Sequence, residues 1–325
     1  MKIGALDAMA GQISTSAPRH GFYRMTTEDR HTHGVAEVHG SQPGPTVIAV
    51  GAVHGNEPAG LIAARRITDT VSLERGAFFS LVGNRAALAR DVRFVDGDLN
   101  RRFRAERVSG LRDGTLRLSD SEDLDQACFL RSYDSARGRN DPSQPTVILD
   151  LHTFSATGTP FAMASPHPLA RVLAKATALP TLVGLEQHLR GTMVELGIID
   201  GLPVLAMEGG QHTDPNSVEV LGASIMAVLD ALGMGPVGSP FARTSGVRDV
   251  SGPSTFEIVY RHVISPSDSF VMRPGYVNLA PVKYGEHLAD DRRGPVLSPA
   301  AGHIVMPLYQ GLGAEGFFIA VLTES

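Results

Sequence analysis

The chain has 325 residues, 42% of them hydrophobic and 19% charged, with a formal net charge of −5. That length allows roughly two domains of about 150 residues each, and the composition fits a globular protein with ample core and excludes a disordered chain. The negative balance gives no general attraction for nucleic acid or acidic membranes, and no apolar run approaches the roughly 20 residues needed to span a bilayer.

The first residues, Met1 to His20, lack the cationic-then-apolar pattern of a secretory signal, so the expected compartment is the cytosol. The one cysteine, Cys128, rules out an intramolecular disulfide and argues against thiolate metal chemistry, so any metal falls to histidines and carboxylates. The stretch His33 to Gly40 alternates apolar and polar residues. It predicts a half-exposed edge strand that turns at Ser41 to Pro45 and pairs with the strand after it. His20, His31, His33 and His39 have no carboxylate at ligand spacing and read as surface or strand histidines, not ligands.

Thr46-Val47-Ile48-Ala49-Val50 predicts a buried strand running into Gly51-Ala52-Val53-His54-Gly55-Asn56-Glu57-Pro58, with a helix near 58–70 beyond it. His54 and Glu57 therefore sit where a strand ends, a common ligand position in open α/β sheets. Imidazole and carboxylate are both good Zn²⁺ donors, and a catalytic His₂Glu zinc site would need one more histidine.

A second buried strand, Gly76 to Val82, leads to Gly83-Asn84-Arg85 and a polar loop rich in arginine: Arg90, Arg93, Arg101 and Arg102, with Asp96, Asp98 and Asn100 among them. Such a loop reads either as a solvated face or, beside a metal, as a site that grips carboxylates. Residues 104–118 read as an irregular surface excursion. Ser119-Asp120-Ser121-Glu122 carries a capping-box signature for a helix whose apolar face would be Leu124, Cys128, Leu130 and Tyr133.

Pro145 to His152 predicts a third buried strand ending on a histidine, which supplies the missing ligand. Asp150, on the same side of an extended chain, could accept the other imidazole N–H and fix its tautomer. Leu202 to Met207 predicts a fourth strand delivering Glu208 ahead of two glycines. Glu208 reads as a salt-bridge partner or as a carboxylate that moves a proton from a metal-activated water.

A helix from Pro215 through Leu232 stops at Gly233 to Pro236. Residues 236–253, rich in Gly, Ser and Pro, read as a linker, and 254–325, with short apolar runs between turns, as a small β domain. The expected organisation is a zinc-binding catalytic α/β domain over 1–235, a linker over 236–253 and a C-terminal β domain over 254–325.

Four ordered motifs resemble the aspartoacylase and succinylglutamate desuccinylase family, zinc amidohydrolases related in fold to the zinc carboxypeptidases. They are Gly-x-x-His54-Gly-Asn-Glu57, Arg93 to Phe103, Asp150-Leu-His152-Thr153 and Met207-Glu208-Gly-Gly. The resemblance covers 46–232 well and the β tail more loosely. It implies a mixed, mostly parallel central sheet flanked by helices, with a smaller C-terminal β domain.

It also implies one Zn²⁺ per chain held by His54, Glu57 and His152, with Glu208 as general base and Arg93 polarising the substrate carbonyl. Asn100 and Arg101 would hold a substrate carboxylate. Arg190, at a different spacing, and Tyr284 are the candidates for two further substrate-binding positions. The implied substrate is a small anionic N-acyl amino acid such as N-acetylaspartate or N-succinylglutamate. A zinc carboxypeptidase and a non-catalytic metal-binding relative stay open as alternatives, and a β domain capping the site would argue against the first by excluding long chains. The sequence also leaves self-association into homo-oligomers open.

Overall fold

The computed structural model describes residues 33–34, 36–139, 141–241 and 254–324. The strands are β1 (Ala36–His39), β2 (Gln42–Gly51), β3 (Arg75–Val82), β4 (Thr146–Phe154), β5 (Phe161–Ala164), β6 (Thr181–Val183), β7 (Val204–Gln211), β8 (Thr255–Val263), β9 (Val271–Met272), β10 (Pro281–Val282), β11 (His287–Asp291), β12 (Gly294–Leu297), β13 (Gly302–Val305) and β14 (Glu315–Glu324). Among the described residues, β1-β3-β2-β4-β7-β5-β6-β8-β14-β13-β10 form one 11-stranded sheet, and β12-β11-β9 form a small second one. Pairing is parallel across β3-β2-β4-β7 and again across β5-β6-β8, while β1, the β7-β5 junction and the C-terminal strands are antiparallel. The expected α/β class, with a central sheet and a C-terminal β region, is borne out.

The parallel strands are buried and mostly apolar because both faces are covered. In β2, Val47 and Ala49 point to one side, against helices α1 (Ala59–Thr70) and α8 (Asn216–Ala231) through Ala63, Ile67, Leu221 and Ile225. Ile48 and Val50 point to the other, against α4 (Ser121–Gly138) and α7 (Met193–Asp200) through Phe129, Tyr133 and Leu196. This two-residue alternation is the strand period itself, and each fully buried Val, Ile or Leu contributes roughly 1.5–3 kcal/mol.

Several expectations need correction. The edge strand β1 does not pair with the strand that follows it; Ala36 to His39 lie antiparallel to Ser80 to Ala77 of β3. The turn through Gly40 to Ser41 is tight enough for a hairpin, yet β2 has both its edges taken by β3 and β4, so the outer edge of β3 is the one left for β1. Residues 104–118 are not all irregular: α3 (Ala105–Arg112) forms there, with Val108 buried against the α4 side of the core.

The inward stripe of α4 also differs. Leu130 and Tyr133 are buried as expected, but Leu124 is 42% exposed and Cys128 half-buried, and the buried side also takes in Glu122, Gln126, Phe129 and Ala136. His33 is buried, donating through Nδ1 to the Val82 carbonyl at 2.7 Å with Nε2 3.6 Å from Asp125; His39 is on the surface near Glu37. His20 and His31 lie outside the described residues.

The linker and C-terminal region are bound more closely to the rest than composition implies. Val237 exchanges backbone hydrogen bonds with Ser72, and Phe241 is buried over Gly222, where a Cβ would come within 2.3 Å of its ring. The remaining linker residues, 242–253, lie outside the described residues. β8 pairs in parallel with β6, so the sheet continues from the N-terminal region into the C-terminal one. β14 then serves two cores: Phe318 and Ala320 pack with Phe154, Phe161 and Met163, and Phe317 and Ile319 with Leu288 and Ile304.

Candidate metal and catalytic site

The site lies at the C-terminal ends of β2, β4 and β7. Where β2 ends, Ala52 takes a left-handed backbone with φ 54°, and the chain turns through Val53 to bring His54 and Glu57 under the start of α1. Gly55 is required there, since a Cβ would come within 2.1 Å of the Ala87 carbonyl carbon in the helix α2 (Arg85–Arg90). In the parallel register His152 of β4 stands opposite Glu208 of β7, so the sheet sets these two functional side chains beside each other.

Glu57 is the hub. Its Oε1 lies 2.9 Å from His54 Nδ1 and its Oε2 lies 2.9 Å from His152 Nδ1, and the Thr153 backbone N–H donates to Oε2 at 3.2 Å. Each imidazole turns its Nε2 to another carboxylate: His54 to Asp98 at 3.2 Å and His152 to Asp150 at 2.9 Å. Burial opposes the charge of Glu57, but the two imidazoles outweigh it and hold the carboxyl well below the usual range. Burial likewise opposes protonation of His152, and Asp150 and Glu57 outweigh it, raising its pKa.

One ligand atom from each of His54, Glu57 and His152 lies within 4.8 Å of the other two. Two imidazoles and a carboxylate converging in a buried spot, each imidazole backed by an outer carboxylate, fit a divalent cation such as zinc. Asp150 thus stands where the sequence places it, and Asp98 adds the matching support for His54.

Glu208 is buried against this cluster, and its Oε2 has no hydrogen-bond partner. Burial pushes its carboxyl up to about 7, with His152 pulling the other way and Glu57 adding to the rise. Arg93 donates to Glu57 at 3.4 Å and to Asp98 at 3.2 Å, while its buried Nε is unpartnered. Burial opposes its charge, but Asp98 and Glu57 keep the guanidinium firmly protonated.

The arginine loop is pinned from below by acids of α4. Glu122 accepts the backbone N–H groups of Val95 and Asp96, Asp125 accepts that of Ala86, and Asp120 and Asp123 hold Arg102. Asn100 Oδ1 accepts the Met193 N–H at 2.8 Å, and Gly191 at φ +71° allows the chain to pass where a Cβ would meet Arg101 O at 2.1 Å. The loop is an organised wall and not a freely solvated face.

Met306, Leu308, Gln310, Glu315 and Phe318 of the C-terminal region line the same cavity as His54, Glu57, Arg93, Asn100, Arg101, Asp150, His152 and Glu208. Two expected residues are not brought there. Tyr284 is 77% exposed in the turn after β10, and Arg190 is exposed on an outer depression with Gln187, Glu195 and Ile198. Arg190 follows Leu189, whose side chain is the one turned inward, so the arginine is sent outward.

The sequence reading missed His212, which is half-buried after β7 with Nδ1 2.8 Å from Thr153 Oγ1, and Glu315, which meets Arg101. His212 could have been found from its place four residues after Glu208; Glu315 carries no local signal.

Residues 43–195 match the family model of the succinylglutamate desuccinylase/aspartoacylase catalytic domain. The chain is 35% identical over 126 residues to an N-acyl-aromatic-L-amino acid amidohydrolase (carboxylate-forming) of Xenopus tropicalis, covering 35% of this chain and 36% of that protein. A protein of the same name from Xenopus laevis is 37% identical over 125 residues, covering 37% and 38% respectively. The chain therefore spans well under half the length of these curated relatives. A solved succinylglutamate desuccinylase/aspartoacylase from Rhodobacter sphaeroides superposes with a TM-score of 0.63 at 23% identity, covering 90% of this chain and 89% of that one, which shows a common fold.

Proposed function

We propose that the chain is a member of the succinylglutamate desuccinylase/aspartoacylase family, whose catalytic-domain model residues 43–195 match, and that it hydrolyses the amide bond of an N-acyl amino acid to a carboxylate and a free amino acid. The observation that carries this is the unpartnered Glu208 oxygen buried beside the His54–Glu57–His152 set, inside a cavity that the C-terminal region helps to close. The proposed cofactor is one zinc ion per chain held by His54, Glu57 and His152. When bound there, it supplies a Lewis acid for the carbonyl and lowers the pKa of a water from 15.7 to about 7.

Glu208 accepts the proton of the attacking water and returns it to the departing amine, a role suited to a carboxyl whose pKa stands near neutrality. Arg93 directs its free Nε–H at the oxygen on which negative charge develops. Asp98, hydrogen-bonded to His54 Nε2, and the Asp150 carboxylate, 2.9 Å from His152 Nε2, favour the tautomer that leaves each Nδ1 facing Glu57. Asn100 and Arg101 orient the substrate carboxylate. Arg190 and Tyr284 are not retained as substrate contacts, for neither lines the cavity.

Met306, Leu308 and Phe318 of the C-terminal region line the cavity, and a site walled in part by this region favours a small substrate over a long peptide. The test is zinc-loaded protein assayed for amine release over N-acetylated and N-succinylated amino acids, with unmodified peptides in parallel. Release from N-acyl amino acids is expected. Release only from peptide C-termini, or from no substrate at all, would overturn the proposal. No helix among the described residues is long and apolar enough to cross a membrane.

A further inference from the structure

The cavity lining divides into a polar set around His54, Glu57 and His152 and an apolar cluster of Phe154, Met163, Leu182, Leu185, Leu189 and Phe318, with Glu186 and Thr192 also in the lining. Arg93 and Arg101 are the arginines that line it, and no lysine does among the described residues. Arg93 is committed to Glu57 and Asp98. Arg101 donates through Nη1 to its neighbour's carbonyl, Asn100 O, at 2.8 Å and through Nη2 to Glu315 Oε2 at 2.9 Å.

Glu315 is itself held in place. Its Oε1 accepts from Arg261 Nη2 at 2.7 Å, and Arg261 is fixed by a 2.6 Å bond to the His188 carbonyl. The glutamate side chain is only 11% exposed. Two guanidiniums and one carboxylate leave this group with a single unit of positive charge. That balances one substrate carboxylate. A second would meet Glu315, Glu186, neutral polar groups or the apolar cluster, none of which supplies a compensating positive charge, and burying an uncompensated charge is strongly unfavourable.

We propose, resting on the amidohydrolase function above, that Glu315 is the specificity-determining residue of this site. By occupying Arg101 it selects substrates with one carboxylate and a bulky apolar group, which fills the chamber between Phe154 and Leu189, over those with a second carboxylate. This narrows the implied substrate away from the N-acetylaspartate and N-succinylglutamate type.

The test compares N-acetylphenylalanine with N-acetylaspartate by isothermal titration to the metal-loaded full chain and its Glu315→Gln variant, with kcat/KM measured alongside. The expected result is tighter binding of N-acetylphenylalanine by about tenfold, equivalent to about 1.4 kcal/mol, and a loss of about tenfold of that preference in Glu315→Gln through tighter binding of N-acetylaspartate. Equal affinities in the natural protein, or an unchanged ratio in the variant, would overturn the proposal. Because binding is read separately from turnover, a preference that persists without hydrolysis would remove the hydrolase function and leave the role of Glu315 standing. Should Glu315→Gln not fold, Leu185→Phe, at a half-buried chamber position, should weaken N-acetylphenylalanine more than N-acetylalanine; equal effects on both would refute the chamber.

Discussion

Replacing Glu208 with glutamine separates its chemical role from its structural cost. The carboxyl lies buried beside Glu57 and Asp150, which raises it from the ordinary 4.5 to about 7. A carboxyl raised on folding is favoured protonated in the native state, so the native state gains below the unfolded value and loses that gain as pH climbs through the folded one. At 1.36 kcal/mol for each pH unit of displacement, the ionised form costs about 3 kcal/mol above pH 7.

Glutamine has nearly the same shape and never ionises. In chelator-treated protein Glu208→Gln should therefore match the natural chain near pH 4.5 and unfold at a temperature a few degrees higher at pH 8, measured by calorimetry across that range. In metal-loaded protein the same variant should lose about 10²–10⁴-fold in kcat while keeping its metal. A melting difference that does not change with pH would refute the burial argument, and undiminished turnover would refute the assignment of Glu208 as base.

His152→Ala should lower bound zinc from one per chain to near none by elemental analysis, and full stoichiometry would remove it from the ligand set. Asp98→Asn keeps the size of the group that faces His54 Nε2 but not its charge, and should weaken metal affinity by about 10–100-fold in a chelator competition. Asp200 accepts from Tyr133 and Arg112; burial opposes its charge, but these partners depress its pKa. Its contribution is present above the unfolded value of about 3.9 and lost as pH falls below it, so Asp200→Asn should be less stable at pH 7 with a shallower acid decline in urea titrations. Tyr284→Phe, in an exposed turn, should leave kcat/KM unchanged, and a tenfold loss would return it to the site.

The sequence by itself determined the parts of this protein whose physics is local. Continuous apolar runs must be buried strands, and candidate functional side chains at their ends are marked by residue type and short spacing: His54 with Glu57, Asp150 with His152, and Glu208 ahead of its glycines. The four strands and the helices after β2 and β7 follow from the same periodicity. What joins them is a matter of register, and only the tertiary structure decided it.

Glu208 faces His152 because β4 and β7 pair in one alignment, and β1 lies on β3 because both edges of β2 are taken. The arginine loop is rigid because Glu122 and Asp125, carried on a helix with few outward signs of function, satisfy its backbone. Arg190 and Tyr284 had the right chemistry, but their backbone positions turn them outward. Glu315, 214 residues beyond Arg101, had nothing to mark it until the sheet ran on from β6 through β8 to β14 and set its carboxylate against the guanidinium. Contacts of that separation are selected by the packing of whole elements, and a pattern of neighbouring residues cannot encode them.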